Sequence, residues 1–89
     1  MTLYTKEAEK YLQIHKKQQK EVILIINKLK EYFVEKSFFV ELIENEILIN
    51  IVTMSLLDSL NILKRFDEEW WAKRFVSNKN FINIDILVK

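Results

Sequence analysis

Residues 38–53 read FFVELIENEILINIVT. Two runs rich in β-branched and aromatic residues, 38–43 and 47–53, flank the polar segment 44–46. Such runs predict strands, and the Asn between them predicts a turn, because Asn tolerates the positive φ that tight turns require. The chain has no Gly to serve that purpose. This stretch therefore predicts a β-hairpin, and the rest of the fold is expected to assemble around it.

The alternation within the two runs predicts how the hairpin divides into faces. A two-residue loop at Asn45-Glu46 would pair residue 43 with residue 48. One face then carries Val40, Leu42, Ile49 and Ile51, and the other carries Phe39, Glu41, Ile43, Leu48, Asn50 and Val52. Because side chains alternate with a period of two, a slip by one residue would mix the two sets. The pattern therefore specifies the parity more strongly than it specifies the loop.

The N-terminal third predicts a helix over residues 5–36. Apolar or amphipathic residues recur there at a spacing close to 3.6, and Thr5 is a suitable N-cap. An unbroken helix of this length would extend about 48 Å, whereas a compact chain of this size has a diameter of about 31 Å. The helix is therefore expected either to overhang its domain or to break near residues 15–21. A strand at 22–26 is the less favoured alternative, because strong helix formers flank it.

The C-terminal half predicts a second helix and a third strand. Ser55 is a candidate N-cap, with Asp58 three residues later as in a capping box. An apolar stripe then continues along Leu56, Leu60, Leu63, Phe66 and Trp70. Residues 77–80 are polar and predict a loop. Residues 81–88 alternate between apolar and polar side chains, which predicts a strand.

The sequence thus predicts a single α+β domain over residues 1–89 with the element order αββαβ. The long N-terminal helix and the second helix are expected to pack on a three-stranded, mainly antiparallel sheet. We expect the last strand to lie beside the first, in the order 2-1-3. The alternative places it beside the second strand through a right-handed crossover.

The composition excludes several classes of site. Cys, Gly and Pro are absent, and the chain has one histidine, His15. Without Cys there is no thiolate nucleophile and no Cys-ligated metal, and without Gly there is no phosphate-binding loop of the P-loop type. We therefore expect no cofactor and no metal. The sequence shows neither a signal peptide nor an apolar run of membrane-spanning length, so the expected location is the cytoplasm.

Charge is divided unevenly along the chain. Residues 1–36 carry eight Lys and five Glu, a net charge of +3. Residues 37–63 carry four acids and no Lys or Arg, and residues 64–89 carry six basic and four acidic groups. The lysines of the first segment alternate with Glu, which is typical of a solvated helix surface.

The N-terminal helix also predicts self-association. Residues 22–26, VILII, are apolar on more than one side of a helix, so a single subunit is not expected to cover all of them. A second copy related by a two-fold axis is the commonest solution for such a surface. We therefore expect a homodimer. Its predicted interface consists of Tyr11, His15, Ile23, Leu24 and Val34.

Residues 66–71, FDEEWW, form the most distinctive motif of the chain. Three adjacent carboxylates are compatible with acid–base chemistry or a hard cation, but consecutive residues of an α-helix point about 100° apart and do not converge. Phe66 and Trp70 are expected in the core instead. Two indoles do not fit one stripe, so Trp71 is expected at the surface as a binding hot spot. The predicted partner-binding residues are Trp71, Trp70, Glu68 and Arg74.

The FDEEWW helix end, followed by a short polar loop and an alternating final strand, resembles small uncharacterised bacterial α+β proteins. The resemblance covers residues 47–88 and leaves the first helix outside it. It implies the helix–strand arrangement of this half of the chain, and it implies no activity.

A polar group is predicted on the second face of the sheet. Its members are Glu41, Asn50, Asn83 and Asp85. One interpretation is a site for a divalent cation or a polar ligand. The other, which we favour, is a sheet face partly open to water, because two carboxylates with two amides make a weak cation site.

Two functions from different classes follow. The first is a non-catalytic protein–protein interaction module of the inhibitor, antitoxin, immunity-protein or adaptor type, homodimeric through the long N-terminal helix. The second is a nucleic-acid-binding domain that uses the basic first helix with Lys64, Arg65, Lys73 and Arg74. The first is favoured because the net charge is only +1, and nucleic-acid binders usually carry a larger positive excess. An enzyme built on Asp67, Glu68, Glu69 or His15 is the least favoured.

Overall fold

The computed structural model describes residues 1–74 and 82–89 and confirms the α+β class. The strands are β1 (Thr2–Tyr4), β2 (Ser37–Ile43), β3 (Glu46–Thr53) and β4 (Ile82–Val88). The helices are α1 (Lys6–Ile14), α2 (Lys16–Tyr32) and α3 (Leu56–Phe66). Helix α3 continues through a π-helical turn (Asp67–Trp71) into a last α-helical turn (Ala72–Arg74). The predicted loop at 77–80 lies outside the described residues.

The predicted hairpin is present, with its register shifted by two residues. Ile43 pairs with Glu46, so the loop is Glu44-Asn45 rather than Asn45-Glu46. Both loop residues have positive φ, 51° and 67°, as a two-residue type I′ turn requires. The observed register aligns three apolar pairs on the buried face, Phe38–Ile51, Val40–Ile49 and Leu42–Ile47. The predicted register would align only two, but its parity is the observed one, so the predicted faces are confirmed.

The strand order is β1-β2-β3-β4, so the expected 2-1-3 order is wrong. Strand β4 pairs in parallel with β3, from Ile47↔Ile82 to Thr53↔Val88, which is the crossover alternative. The free edge of β2 is taken by β1, which pairs with it in parallel. Strand β1 is not predicted, because three residues are too few to show alternation. The sheet therefore has four strands in mixed orientation rather than three that are mainly antiparallel.

The N-terminal segment forms two helices. Of the two outcomes expected from its length, it is the break near residues 15–21 that occurs, and not the overhang. The break is at His15, whose φ of −101° and ψ of 74° lie outside the helical region. Thr5 caps α1 as predicted, its hydroxyl accepting from the Ala8 backbone N–H at 3.1 Å. The 17 residues of α2 extend about 26 Å, within a molecule of 35 × 29 × 21 Å. The prediction of one long, overhanging helix is therefore wrong, because the break lets both halves pack into one core.

The core lies on one face of the sheet, under all three helices. Its strand residues are Phe38, Val40, Ile47, Ile49, Ile51 and Ile82. Its helical residues are Ala8, Leu12, Val22, Ile25, Ile26, Leu29 and Phe66, and Phe33 follows directly after α2. Each large side chain buried here contributes about 1.5–3 kcal/mol to folding. This layer of apolar contacts is the main stabilising term of the fold.

The helices are amphipathic and carry charged residues on their solvent side. In α2, for example, Val22, Ile25, Ile26 and Leu29 face the core, and five lysines lie before and after residues 21–27. Within residues 1–74 and 82–89, no helix combines the length and the apolar character that crossing a membrane would require.

The second half of the predicted stripe, Leu63, Phe66 and Trp70, faces the core, but its first half does not. Ser59 is buried, and its hydroxyl donates to Thr53 Oγ1 at 2.9 Å, whereas Leu56 and Leu60 are 48% exposed. This buried hydrogen bond between α3 and the end of β3 sets the rotation of α3 about its axis. Ser55 is the N-cap residue as predicted, but its hydroxyl donates to the Asp58 carboxylate at 3.1 Å instead of accepting from the backbone.

The π-helical turn brings both tryptophans to the same core residue. The Ala72 N–H donates to the carbonyl oxygen of Asp67, five residues earlier. The ring centroids of Trp70 and Trp71 lie 5.4 Å and 6.3 Å from that of Phe66. The expectation that one stripe cannot hold both rings is therefore wrong. A wider turn places residues four and five positions after Phe66 on either side of it.

The hairpin loop allows a direct test of its geometry. Replacing Glu44-Asn45 by Asn-Gly supplies the pair best suited to two positive φ angles, so the free energy of unfolding should rise by about 0.5–1 kcal/mol. Urea denaturation measures the change. As a control, Lys20→Gly in the middle of α2 should lower the same quantity by about 1 kcal/mol. An unchanged or lowered stability of the loop variant would contradict the assigned turn.

Candidate functional site

The sheet face opposite the helices has no described element packed on it. Directly paired strand residues share a face, so one row across the sheet runs through Leu3, Phe39, Asn50 and Asp85. We call this surface the open face. Its apolar residues are Leu3, Phe39, Ile43, Leu48, Val52 and Leu87. Its polar residues are Ser37, Glu41, Glu46, Asn50, Asn83 and Asp85.

The apolar side chains of the open face shield one another and do not join the core. Phe39, Leu48 and Val52 are half-buried, yet none of them belongs to the core cluster or packs against it. Leu3, Ile43 and Leu87 are exposed. The open face therefore presents neighbouring apolar side chains to solvent, and extended patches of this kind mark interaction sites.

A hydrogen-bonded pair lies at the centre of the open face. Asn50 Nδ2 donates to the Phe39 carbonyl oxygen at 3.0 Å and to Glu41 Oε2 at 2.7 Å. Asn50 is 5% exposed, and both hydrogens of its amide are used. The sequence predicted Asn50 opposite Glu41, but the shifted register sets Asn50 opposite Phe39. Because the Asn50 N–H groups are already paired, a partner that covers this spot leaves no donor unsatisfied there.

The other polar groups of the open face also bond to the protein. Asn83 Nδ2 donates to Glu46 Oε2 at 3.3 Å, and Asp85 Oδ1 accepts from the Ile86 backbone N–H at 2.7 Å. Glu41, Asn50, Asn83 and Asp85 share this face, as the sequence predicted. Among the residues that the structure describes, no group of three or more His, Cys, Asp or Glu side chains could hold a metal ion. The geometry supports a water-exposed sheet face over a cation site.

The outer edge of β4 is partly blocked against pairing with another strand. The Lys89 N–H donates to the Thr53 carbonyl oxygen at 3.0 Å. Counting back from Lys89, every second residue of β4 therefore directs its N–H group to β3, and the N–H groups of the residues between them point outwards. The outward N–H of Ile86 is occupied by the Asp85 carboxylate. Charged side chains protect edge strands in this way. Association is therefore better supported through the open face than through this edge.

The four residues predicted to bind a partner lie around the π-helical turn. Trp70 and Trp71 are half-buried against Phe66, and Glu68 is exposed. Trp71 also lines a cavity of about 580 Å³ together with residues of α3 and β4. The Arg74 side chain and residues 75–81 lie outside the described residues. Both indoles therefore contribute to packing, and the predicted set is not assembled within the described part of the chain.

The five predicted dimer residues divide into two groups. Tyr11 and His15 stack on each other with ring centroids 3.9 Å apart, at the junction of α1 and α2. Ile23, Leu24 and Val34 are 48%, 40% and 69% exposed. Ile23 and Leu24 are about 100° apart on α2, and the positions three, four and seven residues away include Lys16, Lys17, Lys20, Lys28 and Lys30. Glu21 and Glu31 also lie at these positions, and Ile23 lines a groove with Tyr4 and Leu12. The surface around the two exposed residues is therefore mixed, with more lysines than acids.

A hydrogen bond that joins α2 to the π-helical turn is not predicted from the sequence, although the i,i+4 spacing of Arg65 and Glu69 does predict their ion pair. The Tyr32 hydroxyl donates to Glu69 Oε1 at 2.7 Å, and Arg65 Nε lies 3.5 Å from Glu69 Oε2. The hydrogen bond from Tyr32, assisted by the Arg65 guanidinium, lowers the pKa of the Glu69 carboxyl. The same bond raises the pKa of Tyr32. Tyr32 and Glu69 are 37 positions apart, so no local pattern could reveal the pair.

Two apolar residues of the open face, Leu3 and Leu87, are also missed by sequence reasoning. Leu87 continues the alternation of Asn83 and Asp85, so its place could have been read from the pattern. Leu3 could be placed only after β1 was recognised. The one available signal is the β-prone tripeptide Thr2-Leu3-Tyr4 directly before the helix cap Thr5.

The central pair of the open face predicts a pH-dependent defect. Asn50→Asp places a carboxylate where the amide now donates to Glu41, so unfolding at pH 7 should need about 2 kcal/mol less. The two close carboxylates raise one another's pKa, so the loss should shrink as the pH falls below about 5 and one of them binds a proton. Urea denaturation at both pH values measures this. The control Asn61→Asp, at an exposed position on α3, should change little, and equal losses in both variants would contradict the central role of Asn50.

The Tyr32–Glu69 bond predicts a different pH profile. The lowered pKa of Glu69 means that its contribution is present at neutral pH and is lost as the pH falls through the acidic range. The raised pKa of Tyr32 means that its contribution is lost as the pH rises through the alkaline range. Tyr32→Phe should therefore lower the denaturation midpoint most between about pH 5 and about pH 9. A stability difference that does not vary with pH would contradict this assignment.

Comparison with known proteins adds no relative. No family model, no curated protein and no solved structure matches the chain. The resemblance seen in the FDEEWW motif stays an expectation, and the function proposed below depends on the residues of this chain.

Proposed function

We propose that this protein is a non-catalytic protein-interaction module and that another protein binds on its open face. The supporting observation is the group of apolar side chains that lies outside the core, on a sheet face against which no element of residues 1–74 and 82–89 packs. A sheet with apolar residues on both faces is normally covered on both, by helices or by a second sheet. Here the chain covers one face with α1, α2 and α3, and a partner would cover the other. The proposed compartment is the cytoplasm.

The hydrogen bonding of the open face supports binding rather than catalysis. Asn50 and Glu41 bond to each other, Asn83 bonds to Glu46, and Asp85 bonds to a backbone N–H. Acid–base catalysis requires a group that is directed at a substrate. These side chains are directed at other groups of the same chain and hold the face in a fixed shape, and a rigid apolar surface is what an interface core needs.

Charge favours a different protein as the partner over a second copy. Two open faces related by a two-fold axis would bring together two sets of Glu41, Glu46 and Asp85, and the strand residues of the face include no Lys or Arg to pair with them. The dimer predicted through the first helix meets a milder form of this difficulty, because α2 carries five Lys and two Glu and its two copies would both be net positive. Like charges placed opposite each other across an interface disfavour association.

The nucleic-acid alternative has less support from the geometry. Of its four named C-terminal residues, Arg65 pairs with Glu69 and lies 5.7 Å from the centroid of the Tyr32 ring, so its charge is already engaged. The Arg74 side chain is outside the described residues. Phosphate binding would show itself as a steep loss of affinity with rising salt.

Position-specific crosslinking tests the proposed function. A photoreactive phenylalanine analogue is placed at Leu48 on the open face or, as a matched control, at Leu24 on α2, in cells that make the protein naturally. Leu48 lies at the centre of the proposed interface, so the expected result is a discrete heterologous adduct from that position and none from Leu24.

The adduct at Leu48 should disappear when Val52→Asp is added, because a carboxylate is then introduced into the apolar surface. Equal adducts from both positions would contradict the proposal. So would the lack of any adduct from Phe39, Leu48, Val52 and Leu87 tested in turn.

A further inference from the structure

We infer that the segment bound on the open face is an amphipathic helix with lysine or arginine on both sides of its apolar stripe. This inference rests on the proposed function and specifies the partner's chemistry. It is drawn from the width of the apolar surface and from the sign of the charges around it.

The apolar surface has the width of one helix. Phe39 and Ile43 on β2 and Leu48 and Val52 on β3 form a stripe along the two central strands. Adjacent strands are about 4.8 Å apart, so a two-strand stripe with its side chains is about 10 Å wide, close to the diameter of an α-helix. A second sheet would need apolar residues across all four strands. Outside the two central strands the face adds one apolar residue on each side, Leu3 on β1 and Leu87 on β4, and β4 otherwise presents Asn83 and Asp85. These single residues widen the stripe at one point each and do not continue it along the outer strands.

The charges around this stripe are acidic. Glu41 lies within it, Glu46 lies at its hairpin end, and Asp85 lies beside it on β4. The bases next to these strands, Lys36 directly before β2 and Lys89 directly after β4, lie at the opposite end of the face from Glu46. A partner that carries positive charge beside its apolar stripe gains attraction on binding, whereas an acidic partner is repelled.

The size of the face fits a single helix in a weak or transient complex. The two central strands, of seven and eight residues, give a stripe about 10 Å wide and about 25 Å long, or roughly 250 Å², so about 500 Å² is buried when both partners are counted. Areas below about 1,200 Å² are typical of transient complexes. A helix of about 14 residues has the length of the strands, roughly 21–23 Å.

A second copy of the chain fits this site less well. Its basic surface is α2, whose continuous apolar stripe is buried in its own core. Only Ile23 and Leu24 of α2 remain exposed, on a surface that carries lysines and acids. The copy would therefore supply the charges but not the apolar stripe that the open face requires.

Two matched peptides test the inference on the full chain. One has about 14 residues, with Leu at helical spacing and Lys elsewhere, and the other carries Glu in place of every Lys. Binding is followed through the backbone amide signals of the labelled protein by NMR. The expected result is that the basic peptide shifts the signals of β2 and β3, and that its affinity falls as salt is raised from about 0.05 M to about 0.5 M. The acidic peptide should bind at least tenfold more weakly.

Two pairs of substitutions separate local charge from net charge. Glu46→Gln with Asp85→Asn removes two carboxylates of the open face and keeps an acceptor oxygen at each position, and it should weaken binding of the basic peptide by about fivefold. Glu7→Gln with Glu9→Gln on α1 changes the net charge equally and should leave the affinity unchanged. Leu48→Ser should weaken binding more than tenfold, with an unchanged spectrum elsewhere as evidence of folding.

Four outcomes would overturn the inference. They are binding of neither peptide, equal binding of both, shifts confined to α1 and α2, and concentration-dependent shifts of β2 and β3 without peptide, which would identify a second copy as the occupant. The first three leave the proposed function standing if crosslinking at Leu48 succeeds. Failure of both experiments would remove the function as well.

Discussion

The alternation of side chains in the β2–β3 ladder is the constraint on which the rest of the structure depends. With the observed parity, Val40 and Ile49 face the helices while Glu41 and Asn50 face outwards. A slip by one residue would exchange the two sets and would bury a carboxylate without a charged partner, which costs far more than any gain in packing. The helices, β1 and β4 therefore attach to a ladder whose two faces already differ in chemistry.

The helical layer fits this ladder through two local departures from regular helix and one buried side-chain hydrogen bond. The break at His15 returns α2 across the sheet, the Ser59–Thr53 hydrogen bond sets the rotation of α3, and the π-helical turn brings Trp70 and Trp71 to Phe66. Each departure places apolar side chains that a straight, regular helix would leave in water. The apolar area recovered offsets the weaker backbone geometry at these points.

The structure of the open face is compatible both with exposure to water and with burial under the proposed partner. Its apolar side chains shield one another, and its central amide bonds within the sheet, so the surface can face solvent without a partner. The same arrangement leaves few unpaired donors to desolvate when a partner arrives. The two sides of the molecule differ in charge, because the open face carries Glu41, Glu46 and Asp85 whereas α2 carries five Lys and two Glu.

The sequence by itself determined the features that local pattern encodes. These are the α+β class, the hairpin and its parity, the Thr5 cap, the alternation of β4, and the placement of Glu41, Asn50, Asn83 and Asp85 on one face. It did not reveal β1 or the strand order. Both β1 and β4 were candidates for the free edge of β2, and which of them pairs there depends on the packing of segments that are distant in the sequence. The same reason applies to Tyr32 and Glu69, which meet only after α2 and α3 have packed. Periodicity specifies which side of an element is apolar, but only the assembled tertiary structure decides which side stays uncovered, and the open face is therefore visible in the fold alone.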